Sequence, residues 1–246
     1  MSISVLRVFA AGSLKGAFAP LCRQFGEQGG IAVEVTFGPA GLLRERIEAG
    51  EPCDLFASAN VAHPQALMQS GRALETRTFA FNRLNLTARS TLQTRRAGWL
   101  DLLCDPTLRI ATSTPGCDPS GDYAQELFTR IEQRYPGVGR TIAGRALALV
   151  GGRDTLPVPA GEIAGGWLLD HNRADIFIGY AHYARQLESS GRFHTLAIPE
   201  DYAPRCEYQL ARLSGNPETT ALAAWILSVP GQRFLLQAGL LAPEAE

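Results

Sequence analysis

Apolar positions along the chain follow two alternating rhythms. Short unbroken apolar runs of strand length are separated by longer stretches in which apolar residues recur at helical spacing, the signature of βα units and mostly parallel sheets. The runs predict strands over Val5 to Phe9, Ala32 to Phe37, Asp54 to Ser58, Arg109 to Thr112, Asp175 to Tyr180, Thr195 to Ile198 and Tyr208 to Leu213. Between them the spacing predicts helices over Leu14 to Glu27, Leu42 to Glu48, His63 to Ser70, Pro119 to Tyr135, Ile163 to His171, Glu218 to Leu227 and Gly231 to Ala238.

Two segments echo each other. Glu45 to Ser58 runs from a helix through a polar turn into Cys53-Asp54-Leu55-Phe56, and Trp167 to Tyr180 does the same into Ala174-Asp175-Ile176-Phe177. The echo fits an α/β protein of two lobes with similar topology. Thr78 to Leu86 and Ile198 to Tyr208 then read as the crossings between lobes. Lobe one is expected over residues 1–80 and 205–246, and lobe two over 81–204.

The composition narrows the function classes. With 246 residues and a formal net charge of -1, the chain has room for two cores and carries no basic footprint for nucleic acid or polybasic anchor for a membrane. Lys15 is the only lysine; arginine supplies the other positive charges. The five cysteines (Cys22, Cys53, Cys104, Cys117, Cys206) show no CxxC pair or zinc-like rhythm. No apolar stretch is long enough to cross a bilayer, and the chain opens on a strand without a secretory leader, so either a signal peptide has been removed or the protein is cytoplasmic. Of the histidines His63, His171, His182 and His194, none forms an i, i+4 pair or HExxH pattern, and all four are expected at the surface or in caps.

Four junctions carry candidate chemistry: Ala11-Gly12-Ser13-Leu14, Gly38-Pro39-Ala40-Gly41, Asp118-Pro119-Ser120-Gly121-Asp122-Tyr123 and Ala160-Gly161-Glu162-Ile163. Each combines glycine and a small or hydroxyl residue with a helix start, where unpaired N–H groups carry partial positive charge. Any one alone is most simply an ordinary cap. Four facing one cleft would hold an anion without a buried counter-charge, which suits a chain with one lysine.

In order and spacing, Phe9-Ala10-Ala11-Gly12-Ser13-Leu14, Phe37-Gly38-Pro39-Ala40-Gly41-Leu42 and Arg46-Ile47-Glu48-Ala49-Gly50 leading into Asp54-Leu55-Phe56-Ala57-Ser58-Ala59 resemble the periplasmic molybdate-binding proteins of ABC importers. Thr112-Ser113-Thr114-Pro115-Gly116, Asp118 to Tyr123 and Ala174-Asp175-Ile176-Phe177-Ile178-Gly179-Tyr180 continue the resemblance over almost the whole chain. It implies a type II periplasmic-binding-protein fold with the ligand cleft between lobes, each lobe a mostly parallel sheet flanked by helices. It also implies capture of molybdate or tungstate, whose molybdenum or tungsten stays inside the oxyanion, without a cofactor and without catalysis. A periplasmic location, delivery to permease subunits as the only contact with a membrane, and a monomeric state follow from the same resemblance.

Carried over by position, the ligand-binding residues are Ser13, Ala40, Ser120, Glu162 and Tyr180, with Gly12, Gly41, Ser58, Gly121 and Ile163 as further candidates. Lobe one is expected to offer hydroxyl-bearing turns, and lobe two the amides of two helix starts and the tyrosine hydroxyl. Ala40 departs from the family pattern, which has serine there, so one donor hydroxyl is missing; Ser58, the Gly41 amide, Lys15 or a water could replace it. At Glu162 the amide is expected to face the ligand with the carboxylate turned away.

Other residues have plainer readings. Lys15 reads as a solvated helix residue, Asp54 and Asp175 as groups that bond backbone turns, and Cys117 as small-residue packing near the anion. Alternative functions are a binder of sulfate, phosphate, thiosulfate or an organic acid, and a cytoplasmic sensor of the same fold. A serine hydrolase using Ser13 or Ser120 lacks a GxSxG elbow.

Overall fold

The computed structural model describes residues 5–243. The chain divides into two compact α/β units, one built from residues up to 82 together with those from 206 onward, the other from Arg83–Arg205.

The first unit opens with β1 (Val5–Ala11), a 3-10 turn at Gly12–Leu14 and α1 (Lys15–Gly29), followed by β2 (Ala32–Gly38), α2 (Ala40–Glu48), β3 (Leu55–Ser58), α3 (Ala62–Gln69) and β4 (Glu75–Asn82). The second unit contains β5 (Leu84–Arg89), α4 (Leu92–Arg96), α5 (Trp99–Cys104), β6 (Ile110–Ser113), α6 (Pro119–Arg134), α7 (Val138–Arg145), β7 (Leu147–Val150), α8 (Ala164–Asp170), β8 (Ile176–Tyr180), α9 (Ala184–Ser189) and β9 (Phe193–Ala197). The chain then returns to the first unit through β10 (Cys206–Arg212), α10 (Pro217–Leu227) and α11 (Val229–Gln237).

The two sheets share one topology. The first has the order β2-β1-β3-β10-β4 and the second β7-β6-β8-β5-β9. In each, the second, first and third strands run parallel, the strand that enters from the other unit is reversed, and the outermost strand pairs antiparallel to it. Four of the five strands in each sheet therefore run the same way.

The aspartates of the sequence echo do the same job in both units. Asp54 accepts from the Arg7 amide at 2.8 Å and its own amide donates to the Arg7 carbonyl at 2.8 Å. Asp175 accepts from the Arg109 amide at 2.9 Å, and its amide donates to the Arg109 carbonyl at 2.9 Å. Each carboxylate thereby ties the entry of a third strand to the entry of the first, the backbone-bonding role read from the sequence.

Burial explains which runs become central strands. Every residue of β3, β6 and β8 is buried, as expected of strands covered on both faces by helices. The core of the first unit sets Phe18 tilted against Phe79 at 5.6 Å between ring centres, and Phe79 edge-to-face with Tyr208 at 6.2 Å. In the second unit Leu168, Leu169, Phe177 and Val150 pack together between α8 and the sheet.

Several elements escape the periodic reading. Thr78 to Leu86, expected as a crossing, lies within two consecutive strands, β4 and β5, with Arg83 alone between them. β7 is a partly exposed edge strand outside the predicted runs, and α4, α5 and α9 have five or six residues, too short for a helical period to register. α7, eight residues long, also falls outside the predicted helices. His63 corrects the surface expectation for the histidines: it is 5% exposed in the first turn of α3. Among the described residues, no helix is long and apolar enough to cross a membrane, and all five cysteines are free thiols.

Candidate functional site

In open α/β sheets, ligands gather at the carboxyl ends of the parallel strands, where loops lead into helix starts. In the first unit β1, β2 and β3 end side by side, with Ala11 opposite Gly38 and Ala10 opposite Ala57. Ser13 follows β1 in its 3-10 turn, Ala40 begins α2 after β2, and Ser58 ends β3.

Ser13 is held rather than free to swing. Its hydroxyl lies 3.0 Å from that of Tyr208, which also receives the Asn82 side-chain amide at 3.2 Å. Tyr208 is fully buried, so its hydroxyl needs partners, and the register between β10 and β4 shifts beside it, with Phe79 of β4 as the extra residue. Neither Tyr208 nor Asn82 carries a motif; only the pairing of β10 with β3 on one side and β4 on the other brings them to Ser13.

Ala40 is fully buried, and no side chain caps α2, whose first return bond runs from Leu43 to the Pro39 carbonyl. The amides of Ala40 and Gly41 stand at that uncapped start. The proposed substitutes for a serine at position 40 differ in availability. Ser58 donates its proton to Asn60 Oδ1 at 3.0 Å and accepts from the Asn60 amide, so it has no proton to spare, and Lys15 is exposed. Asn60 Oδ1 also caps the His63 amide at 3.2 Å. Both His63 ring nitrogens are buried without a hydrogen-bond partner among the described residues, and burial pushes the imidazole down to about 4.

In the second unit β6, β7 and β8 end near one another, with Ser113 opposite Val150 and Ala111 opposite Phe177. α6 begins with Asp118 as cap and Pro119 in its first turn, and the loop before it packs closely enough that a Cβ on Gly121 would lie 2.6 Å from the backbone of Ser113, Thr114 and Pro115. The Ser120 amide, expected to be open to a ligand, donates to Asp118 Oδ1 at 3.1 Å, and the Gly121 amide donates to the Asp118 carbonyl at 2.9 Å. What remains open at Ser120 is its hydroxyl, buried and without a partner among the described residues.

Glu162 lies in the turn ahead of α8. Its amide donates to the Pro159 carbonyl at 3.1 Å, closing a turn, while its side chain is exposed. Ile163, one residue on, is the cap residue of α8, which no side chain caps. Tyr180 is the last residue of β8 and is 7% exposed, its ring 6.0 Å from that of His182.

Electrostatics single out Asp118. Burial pushes its carboxyl up to about 6, opposed by hydrogen bonds from the Ser120 amide and the Ser113 hydroxyl. Burial also raises Asp122, which accepts from the Gly116 amide at 2.7 Å and so pins the loop ahead of α6. Tyr183 is pushed up to about 12 by burial and by the charge of Asp118. Among the described residues no three His, Cys, Asp or Glu side chains group as metal ligands.

Strand-end hydroxyls and helix starts suit small anions. Consistent with that, the model of the bacterial extracellular solute-binding protein family matches residues 6–241. The chain belongs to that family. This solute-binding protein is 41% identical to an uncharacterized protein of Pasteurella multocida (strain Pm70), over 96% of this chain and 98% of the other. It is 29% identical to the molybdate-binding protein ModA of Escherichia coli (strain K12), over 89% of this chain and 80% of ModA. The two-lobed fold recurs in the sulfate-binding protein SubI of Mycobacterium tuberculosis H37Rv, with a TM-score of 0.77 at 17% identity over 98% of this chain and 88% of that one.

Proposed function

We propose that this solute-binding protein captures a tetrahedral oxyanion, molybdate or tungstate, for an ABC importer. What supports the reading is the donors at the strand ends of each unit taken by itself: in the first the anchored Ser13 hydroxyl and the uncapped start of α2 at Ala40 and Gly41, and in the second the buried open hydroxyl of Ser120, the start of α8 at Ile163, and Tyr180. These groups are neutral donors. They suit an anion whose charge is spread over four oxygens and do not require a buried cation. The relation to ModA supports molybdate among the oxyanions.

Selectivity in this reading comes from size and donor count, because sulfate carries the same charge as molybdate on a smaller frame. The protein would act outside the cytoplasm, as a monomer, handing its anion to permease subunits. A specific observation keeps a second oxyanion in play: Ala40 removes one hydroxyl from the set, and the same fold serves the sulfate-binding protein SubI.

A thermal-shift panel followed by calorimetry tests the assignment, since a ligand that binds only the folded state raises Tm by mass action. Molybdate and tungstate are expected to raise Tm at concentrations where sulfate and phosphate do not. Saturable binding of sulfate with none of molybdate would replace the assignment with the second reading.

A further inference from the structure

The α6 start holds an acceptor where an incoming anion needs a donor. Asp118 Oδ1 receives the Ser120 amide at 3.1 Å, and the other carboxylate oxygen nests against Gly151, where an added Cβ would approach it to 2.7 Å. Gly151 sits at φ +75°, a backbone conformation that also favours glycine, so the cradle is shaped to the carboxyl. Ser120, 3% exposed, leaves its hydroxyl buried and unpartnered among the described residues at the same helix end.

A carboxylate and an oxyanion compete for one N–H and repel each other. A protonated carboxyl does neither, and its O–H becomes a donor. Resting on the oxyanion reading above, we infer that Asp118 makes capture proton-coupled: as the anion arrives at the α6 start, Asp118 takes one proton from solvent, releases the Ser120 amide and donates its new O–H to the anion. The proton count is one taken up from solvent for each anion bound, so a dianion changes the net charge of the protein by one negative unit instead of two.

The surroundings favour this. Asp118 sits at about 6, chiefly through burial. The groups facing it are the Ser113 hydroxyl from the end of β6, the Ser120 amide and Asp122 from α6, Gly151 after β7, and Tyr183 before α9. Among the described residues, none of these is a cation that would hold the carboxylate ionised against a second negative charge. Asp122 pushes the same way as the anion would, and Tyr183 stays neutral.

The test is a proton inventory on the full chain. Sodium molybdate is titrated by calorimetry between about pH 7 and about pH 8 in buffers of differing ionisation enthalpy, with the affinity followed in parallel. The expected result is uptake approaching one proton per anion, with affinity falling by up to about tenfold per pH unit. Asp118→Asn, which keeps a competent helix cap, is expected to bind with no uptake and a flat profile. Molybdate binding to the parent protein without proton uptake overturns the proposal while leaving the oxyanion reading intact, and needs no variant to fold. Equal uptake in Asp118→Asn overturns it as well, by assigning the proton elsewhere. If molybdate, tungstate and sulfate all fail to bind at every pH, the oxyanion reading falls and the coupling falls with it.

Discussion

Restoring a hydroxyl at position 40 separates a ligand-facing site from mere core packing. Ala40 is fully buried at the uncapped start of α2, beside the turn that holds Ser13. With no anion bound, the added oxygen of Ala40→Ser is a buried polar atom without an assigned partner, at a cost of ~1–3 kcal/mol. For a chain of this size that lowers Tm by roughly 2–4 °C per kcal/mol. With the anion bound, the same hydroxyl can donate to a charged acceptor, worth about 1.5–3 kcal/mol, or a gain in affinity of about tenfold or more. The gap in Tm between the free and molybdate-bound proteins should therefore widen from both sides. Differential scanning calorimetry with and without molybdate, paired with isothermal titration, reads both effects. A fall in the Tm of the free protein with unchanged affinity would refute the placement of Ala40 at the ligand.

Tyr208→Phe removes the hydroxyl that contacts Ser13 and Asn82, and should lower stability by ~1–3 kcal/mol and weaken molybdate binding severalfold. In a Ser13→Ala background the loss of affinity should largely vanish, because the two groups act through one hydrogen bond; additive losses would sever Tyr208 from the site. His63 should make the fold acid-sensitive. Its folded-state value of about 4 lies below the ordinary 6.5, so between these the unfolded chain binds more protons. The stability it contributes is complete above pH 6.5 and is lost as pH falls toward 4, by about 3 kcal/mol in all. Urea denaturation at neutral and acid pH should show that loss in the parent protein and a smaller one in His63→Leu; equal losses would place the acid sensitivity elsewhere.

Local rules account for the features legible in the sequence. The apolar runs of β1, β2, β3, β6, β8, β9 and β10 and the longer helices carry their period in adjacent residues, so they register within one window. Asp118 and Pro119 announce the start of α6 by cap chemistry, and Asp54 and Asp175 mark strand entries because a short carboxylate bonds nearby backbone. The order of glycine-bearing turns likewise puts Ser13, Ala40 and Ser120 after parallel strands and Tyr180 at the end of one.

Features that depend on partners distant in sequence stay hidden. β4 and β5 are strands because β10 and β8 lie beside them, and their boundary at Arg83 has no local signal. His63 is buried because α2 and α3 pack together, although nothing in its neighbourhood distinguishes it from a surface histidine. Donor status is decided in the same way: the amides of Ser120 and Glu162 look open in any sequence, and only the folded turns commit them to Asp118 and Pro159. The sequence by itself thus determined the α/β alternation, the family and the turns where an anion could be met. Tertiary structure alone decided which donors at those turns are unspent, because a hydrogen bond has one proton to give and its acceptor is chosen by the packed chain.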